Sequence, residues 1–194
     1  YEIPLRLVGS EMCIRDSTTR VDESQPVPST LVSEAARTLI AFSGVTILPD
    51  IPEYYRKYPA LLNFLSAQKM PWKESRTLAG EIGEYIVMMR ETEDAYLVGA
   101  ATNESGRTID LPLSFLEKGK YTVEVIEDGD DAHYLTNRES LKVTTWQLTN
   151  NDKLALKLAP GGGACLVIKK TPSMRVGEQA AFPLVSPSWK IGRE

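Results

Sequence analysis

The first third of the chain has apolar residues at the spacing of amphipathic helices. After Pro28-Ser29-Thr30, an apolar side chain recurs every three or four positions, at Leu31, Ala35, Leu39 and Phe42. This period places those side chains on one face of a helix. Ser43-Gly44 follows, and a glycine just after the last turn is a common helix stop. The pattern therefore predicts a helix that opens at Pro28-Ser29-Thr30 and ends at Ser43-Gly44.

Two shorter helices are predicted next. A brief β-prone run, Val45-Thr46-Ile47-Leu48, precedes Asp50-Ile51-Pro52-Glu53, which reads as a capping box with proline in the first turn. A second amphipathic stretch runs from Pro59 to Gln68 and ends at Met70-Pro71-Trp72. The order helix, short strand, helix and helix resembles the end of an α/β arrangement and not a complete domain. Its single strand has no partner within this segment, and a lone strand cannot satisfy its own backbone groups.

From Thr77 onward the period changes from that of helices to that of strands. Seven β-prone runs follow, at residues 85–89, 96–100, 108–111, 121–126, 141–145, 154–158 and 165–168. Short strands separated by turn residues are typical of an antiparallel sandwich or a Greek-key barrel. Tyr121, Val123 and Val125 alternate with polar residues, which predicts one buried and one wet face. The adjacent Met88-Met89 instead predicts a strand buried on both sides.

Composition adds only broad limits to this picture. The 194 residues carry a net charge of −4, which gives no basic surface for nucleic acid or an anionic membrane. The longest apolar runs are far shorter than the roughly 20 residues that span a bilayer. We therefore expect neither a nucleic-acid nor a membrane partner.

Acidic residues suggest two candidate sites, and a turn is the simpler interpretation of each. Glu81 and Glu84 flank Gly83 and could form a carboxylate pair, but a solvated turn is favoured. Asp128-Gly129-Asp130-Asp131 resembles a calcium-binding run, yet it lacks the spaced ligands and distal Glu of a helix-loop-helix site. Aspartates are also frequent in turns, so a plain hairpin turn is predicted there.

Four other features have equally simple interpretations. Gly161-Gly162-Gly163 lacks the Lys-Ser/Thr of a phosphate loop and is predicted to be a turn that needs positive φ. His133 is the only histidine and is predicted to lie at the surface without a metal. Asn103-Glu104-Ser105 is formally a glycosylation sequon but is interpreted as a turn. Four aromatic residues could stack on a sugar but are predicted to pack helices onto a barrel: Tyr54, Tyr55, Tyr58 and Trp72. The sequence thus predicts no catalytic, cofactor-binding or metal-ligating residue.

The stretch from Gly83 to Lys169 resembles the C-terminal domain of glycoside hydrolase family 97. The stretches that carry the resemblance are Gly83-Glu84-Tyr85-Ile86-Val87, Val98-Gly99-Ala100-Ala101-Thr102-Asn103, Arg107 to Leu116, Gly119-Lys120-Tyr121-Thr122-Val123-Glu124-Val125 and Leu158-Ala159-Pro160-Gly161-Gly162-Gly163. They occur in the family's order.

The resemblance implies a mainly β fold, an antiparallel β-sandwich preceded by the last α/β elements of an incomplete (β/α)8 barrel. Residues 18–76 would be the remnant of that barrel and 77–171 the sandwich, with 172–194 a tail of uncertain origin. A complete barrel of this type takes about 250 residues. The rest of the barrel would therefore lie upstream.

The family implies a parent enzyme that hydrolyses glycosidic bonds, an exo-acting α-glucosidase or α-galactosidase. Such enzymes use paired carboxylates, whose separation sets the stereochemical outcome. The resemblance places those carboxylates and a calcium ion in the barrel, outside this chain. It also implies a homo-oligomer, an oligosaccharide substrate and a periplasmic or secreted parent. The chain itself would be a structural and oligomerisation domain without calcium or activity. The alternatives are a carbohydrate-binding or interaction sandwich without catalysis, and the late sandwich of another barrel glycosidase.

The first 17 residues do not resemble the family. Leu7-Val8-Gly9-Ser10-Glu11-Met12-Cys13-Ile14-Arg15-Asp16-Ser17 reads as the translation of a transposase-type sequencing adapter, and Tyr1-Glu2-Ile3 fits its outer end. We therefore expect residues 1–17 to be an artefact. Cys165 would then be the only native cysteine, which excludes an intrachain disulfide.

Overall fold

The computed structural model describes residues 28–42 and 52–171 of the chain. These residues form three helices and eight strands. The predicted strand at 45–48, the adapter-like segment at 1–17 and the tail at 172–194 lie outside the described residues.

The three helices lie close to their predicted positions. They are α1 (Leu31–Ile40), α2 (Pro52–Lys57) and α3 (Pro59–Ala67). Thr30 caps α1, because its side chain accepts a hydrogen bond from the Ser33 amide, 3.2 Å away. The helix ends before Phe42, since the Ala41 backbone is extended, and the Phe42 side chain is 70% exposed. Phe42 is thus not part of the helical face to which the sequence assigns it.

The strands form two antiparallel sheets. They are β1 (Glu74–Glu81), β2 (Tyr85–Glu91), β3 (Tyr96–Thr102), β4 (Arg107–Pro112), β5 (Lys120–Asp128), β6 (Leu141–Thr149), β7 (Lys153–Leu158) and β8 (Gly163–Lys170). The larger sheet has the order β1-β2-β3-β8-β5-β6, and the smaller sheet pairs β4 with β7. The last strand in sequence, β8, therefore lies in the middle of the larger sheet.

One face of the larger sheet packs on the smaller sheet and forms the core of the sandwich. Ile109, Leu111, Leu156 and Leu158 of the small sheet meet the buried side chains of the large sheet. On β5, Tyr121, Val123 and Val125 point into this core, which confirms the predicted alternation. The mainly β, antiparallel sandwich that the sequence predicts is confirmed.

The other face of the larger sheet is covered by the helices. Leu97, Ile126, Cys165 and Val167 of the sheet share a buried cluster with residues of all three helices. Consecutive residues of β8 are buried from Gly163 to Ile168, because the strand has protein on both faces. The helical segment is thus an integral third layer on the sandwich.

The first strand is the element that the sequence pattern does not predict. β1 begins at Glu74, whereas the sequence places the start of the sandwich at Thr77. It is an edge strand, and Leu78 and Ala79 are its only partly buried apolar residues. An edge strand without alternating apolar residues leaves little signal in a sequence. The neighbouring Met88-Met89 behaves only partly as predicted, since Met89 is fully buried and Met88 half-buried.

Candidate functional site

The best-defined polar site is a buried carboxylate where the helices meet the sheet. Asp128 is the last residue of β5, and its side chain is almost fully buried. Its Oδ1 accepts a hydrogen bond from Thr30 Oγ1 at 2.6 Å. Its Oδ2 accepts from the backbone amides of Ala159, at 3.0 Å, and Gly163, at 2.8 Å. One side chain therefore joins the cap of α1, the end of β5 and the glycine loop before β8.

Burial controls the protonation of Asp128. Desolvation raises the pKa of its carboxyl above the ordinary value, and the hydrogen bonds from Thr30, Ala159 and Gly163 oppose this rise only in part. Glu34 on α1 is buried as well, and desolvation raises the pKa of its carboxyl although Ser29 donates to it. Both are structural carboxylates, because their partners are groups of the fold.

The glycine loop follows from the same close packing. Gly161 has a φ of 66°, the left-handed conformation that the sequence predicts for this turn. A Cβ at Gly162 would lie 1.9 Å from Asp128 Oδ2. A Cβ at Gly163 would lie 2.6 Å from both the Ala100 carbonyl oxygen and the Ser33 Cα. The run of glycines thus allows helix, loop and carboxylate to approach each other.

The raised pKa of Asp128 predicts a pH dependence that Asp128→Asn removes. A folded-state pKa above the unfolded value contributes stability that is fully present below the unfolded pKa and is lost as pH rises through the folded pKa. We therefore expect the wild type to gain stability relative to Asp128→Asn as the pH falls from neutral toward 4. The quantity compared is the unfolding free energy of the wild type minus that of the variant at each pH. Urea unfolding at a series of pH values measures this difference. A shift in the opposite direction would show that the hydrogen bonds outweigh burial.

A second buried charge, Arg90, closes the other end of α1. Its guanidinium donates to the backbone oxygens of Leu39, at 3.2 Å, and Ile40, at 3.1 Å. It also lies over the ring of Trp72, 4.6 Å from the centroid, and Phe42 packs edge-on against Trp72. A cation at a helix C-terminus is favourable because it meets the negative end of the helix dipole. Arg90 thus anchors α1 to β2, a role that the sequence analysis misses.

The predicted aromatic residues are brought to the helical layer but do not form an open platform. Tyr55 is buried in the cluster between the helices and the sheet. The Tyr58 hydroxyl donates to Glu139, to which Lys57 also donates at 2.7 Å. Trp72 is half-buried beneath Arg90. The side chain of Tyr54 lies outside the described residues. Tyr55, Tyr58 and Trp72 therefore pack helices as predicted, but onto the larger sheet of the sandwich and not onto a barrel.

The glutamates beside Gly83 do not form a carboxylate pair. Glu81 ends β1 and Glu84 lies in the turn that follows, closed by a hydrogen bond from the Glu84 amide to the Glu81 carbonyl. Glu84 instead pairs with Arg107 at 2.8 Å. Arg107 also donates to Asn103, whose amide is held by this turn. The two sequence candidates, the glutamate pair and the sequon, are thus parts of one structural corner.

The acidic run after β5 is likewise occupied by contacts within the fold. Asp130 pairs with Lys157 at 2.8 Å, and Asp131 accepts from Asn137, at 2.8 Å, and from Ser140. His133 stacks on Tyr134 with ring centroids 4.9 Å apart. Within 28–42 and 52–171, no group of three or more His, Cys, Asp or Glu residues is arranged to hold a metal ion.

The fold offers one apolar groove of about 620 Å³, between the end of α1 and the β1–β2 hairpin. Ile40, Ile82 and Tyr85 contribute to its lining, and Ile82 is fully exposed at the tip of the hairpin. Among the described helices, none is both long and apolar enough to cross a membrane.

Curated relatives share sequence with this chain, and two of them illustrate the similarity. A retaining alpha-galactosidase of Bacteroides thetaiotaomicron is 33% identical over 147 residues, which are 75% of this chain and 22% of that protein. A probable retaining alpha-galactosidase of Streptomyces bingchenggensis is 28% identical over 107 residues, 55% of this chain and 17% of that protein. The chain thus spans about a fifth of the length of these relatives.

Solved structures and a family description agree on the same domain. A glycoside hydrolase family 97 enzyme from Pseudoalteromonas sp. strain K8, in complex with acarbose, superposes with a TM-score of 0.71 at 29% identity, over 75% of this chain and 23% of that one. A beta-arabinopyranosidase shares the fold, with a TM-score of 0.59 at 24% identity over 73% of this chain and 21% of that one. The family described as "Glycosyl-hydrolase 97 C-terminal, oligomerisation" matches residues 71–169. The chain therefore belongs to glycoside hydrolase family 97 and carries the C-terminal domain of that family.

Proposed function

We propose that this chain is the C-terminal part of an exo-acting α-glycosidase and serves that enzyme as a structural and oligomerisation domain. The observation that carries the proposal is the match of residues 71–169 to a family domain described by oligomerisation. The relatives are about five times as long as the part that aligns, which leaves room for a separate catalytic domain.

An α-galactosidase is the first candidate for the activity of the parent. Both curated relatives bear that name. An α-glucosidase is the second candidate, because the Pseudoalteromonas enzyme has been crystallised with acarbose and, as a variant, with panose. The substrate of the parent would in either case be an α-linked oligosaccharide.

The described carboxylates support a role without catalysis. Glycosidases place two carboxyl groups about 5 to 10 Å apart on either side of the scissile bond. Here Asp128 and Glu34 are buried among partners of the fold, and Glu84 and Asp130 are engaged by Arg107 and Lys157. We propose that the catalytic carboxylates and a bound calcium ion belong to the upstream barrel of the parent.

The helices are the proposed link to that barrel. Residues 18–76 would be its last part, followed by the sandwich from about residue 77 to 171. The alignment with the Bacteroides enzyme and the superposition with the Pseudoalteromonas enzyme each cover 75% of this chain, which is more than residues 71–169 together with everything after them. This coverage supports a connection through the helices. Asp128 and Arg90 then fix the ends of α1 on the sheet. A homo-oligomer and a periplasmic or secreted location complete the proposal.

The activity of the parent gene tests this proposal. The full-length protein encoded by the gene should hydrolyse p-nitrophenyl α-D-galactopyranoside or the α-D-glucopyranoside, whereas the 194-residue chain alone should release no p-nitrophenol. Deletion of the parent from Ile82 onward should reduce its oligomer and its activity together, as light scattering and the same assay would show. Hydrolysis by the 194-residue chain, or a full-length parent that is already a monomer and stays active after the deletion, would contradict the proposal.

A further inference from the structure

The larger sheet has two edge strands, and they differ in how they are protected. β1 contains a register shift between Thr77 and Ala79, a glycine at Gly80 and charged residues along its length. Bulges and charges are common devices that keep an edge strand from pairing with other strands. β6 runs for nine residues without glycine, proline or a register shift, and Lys142 is its only charged residue. Only the β6 edge is therefore left suitable for pairing.

The hydrogen-bonding pattern identifies which groups of β6 are open. The Gly129 amide donates to the Ser140 carbonyl, so Gly129 and Ser140, which lie opposite each other just before β6, form a hydrogen-bonded pair. Bonded and non-bonded pairs alternate along an antiparallel ladder, so the even-numbered residues of β6 bond to β5. The backbone N–H and C=O groups of the odd-numbered residues therefore point away from β5, at Leu141, Val143, Thr145, Gln147 and Thr149.

Two further contacts agree with this assignment. The Thr171 amide donates to the Lys120 carbonyl, so Lys120 forms its backbone hydrogen bonds with the β8 side. The even-numbered residues of β5 therefore bond to β8, and the odd-numbered residues of β5 bond to β6. At the end of β6, Asp152 covers Thr149, accepting from its amide at 2.7 Å and donating its own amide to the Thr149 carbonyl at 3.1 Å. Among the described residues, β5 is the only strand that pairs with β6, which leaves the backbone groups of Leu141, Val143, Thr145 and Gln147 open.

We propose that the β6 edge is the surface through which two copies of this chain associate, by antiparallel pairing about a two-fold axis near Thr145. Adjacent antiparallel strands of two identical sheets are related by a two-fold axis perpendicular to the sheet. With the axis at Thr145, Val143 of one copy pairs with Gln147 of the other, and Thr145 pairs with itself. The open backbone groups of Val143, Thr145 and Gln147 are then bonded across the interface, and the two six-stranded sheets become one.

The side chains of β6 are compatible with this pairing. Val143 is 43% exposed and Trp146 50% exposed, so pairing would remove apolar surface from water on both faces of the sheet. The pairing places Trp146 opposite Thr144, and the single charge, Lys142, opposite Leu148. No like charges face each other directly, which is the arrangement that would destabilise a strand pair.

This inference rests on the proposed oligomerisation function and assigns a surface to it. A second copy of the chain is the committed partner for three reasons. The open groups demand another β-strand, β6 itself is complementary to its own two-fold copy, and the domain family is described by oligomerisation. An upstream segment of the parent is the competing occupant and is an outcome of the test.

Sedimentation and light scattering on the full 194-residue chain provide the test. The wild type should form a dimer, and Thr145→Lys should weaken that dimer at least about tenfold, because it brings two ammonium groups together on a shared edge. Ser75→Lys on the β1 edge is the matched control and should leave the dimer unchanged. A chain that stays monomeric at all accessible concentrations, or a dimer that Thr145→Lys leaves intact, overturns the inference.

A cross-link keeps the test decisive if the lysine variant unfolds. In the Cys13→Ser background, Thr145→Cys should form an interchain disulfide under mild oxidation, because bonded antiparallel pairs have Cα atoms about 5.5 Å apart, within disulfide range. Cys165 is buried and should not interfere. Ser75→Cys should cross-link far more slowly, and equal rates would overturn the inference. The activity assay of the parent fails or succeeds independently of both results.

Discussion

Replacement of Asp128 by alanine is expected to lower the free energy of unfolding by about 3 kcal/mol, because it leaves several buried donors without an acceptor. The Thr30 hydroxyl and the Ala159 and Gly163 amides all donate to this carboxylate. Relief of the desolvation of Asp128 offsets only part of this loss, because three donors lose the same acceptor at once. The change would loosen the cap of α1 and the glycine loop together.

Chemical denaturation of the chain measures this effect, and a neighbouring aspartate supplies the control. Asp130 lies in the turn after β5 and makes an exposed ion pair with Lys157. Asp130→Ala should therefore leave the unfolding free energy almost unchanged, because exposed ion pairs contribute little to stability. Equal effects of the two substitutions would show that Asp128 does not organise the junction.

Gly163→Ala is the second change with a large expected effect, a loss of about 2–4 kcal/mol. The new methyl group would lie 2.6 Å from the Ala100 carbonyl oxygen on one side and 2.6 Å from the Ser33 Cα on the other. Both neighbours are backbone atoms, so no side-chain rotation can relieve the contact. Helix α1 must move away from the sheet, and the buried cluster between them must open.

Thermal and urea unfolding would register this loss, and another glycine offers a matched control. At Gly119 an added Cβ would come closest to the flexible end of Lys170, at 3.3 Å, and would make an ordinary contact with the Tyr121 ring, at 3.6 Å. Gly119→Ala is therefore expected to be neutral or slightly stabilising, by up to about 1 kcal/mol, because it reduces the freedom of the unfolded chain. If Gly163→Ala were equally mild, α1 would have to be held less tightly than its contacts imply.

The strands that face the core are the elements that the sequence predicts best. Tyr121, Val123 and Val125 alternate with polar residues because only one side of that stretch meets the core of the sandwich. β1 escapes prediction because an exposed edge strand needs no apolar period. Its stability comes from backbone pairing with the adjacent β2, which sets no apolar period in the residues of β1.

The polar junction is predicted less well, for a related reason. The pattern around Asp128-Gly129-Asp130-Asp131 predicts a plain hairpin turn, and residues 129–132 do form a turn, with the Ala132 amide bonded to the Gly129 carbonyl. Asp128 differs because it shares a strand face with Ile126, and the helices cover that face. Its phase relative to Ile126 is the signal that could have identified it. Its partners, Thr30 and Gly163, are distant in sequence and could not be inferred locally.

The central position of β8 has a consequence for the order in which this domain is made. β3 and β5 are not neighbours in the larger sheet, because β8 lies between them. β8 also follows both strands along the chain. A ribosome therefore releases two incomplete half-sheets, β1-β2-β3 and β5-β6, before the strand that unites them emerges. The helices meet the same constraint, since Cys165 and Val167 complete the surface on which they pack. Neither layer can close during synthesis of the earlier strands, so the domain assembles in one late step.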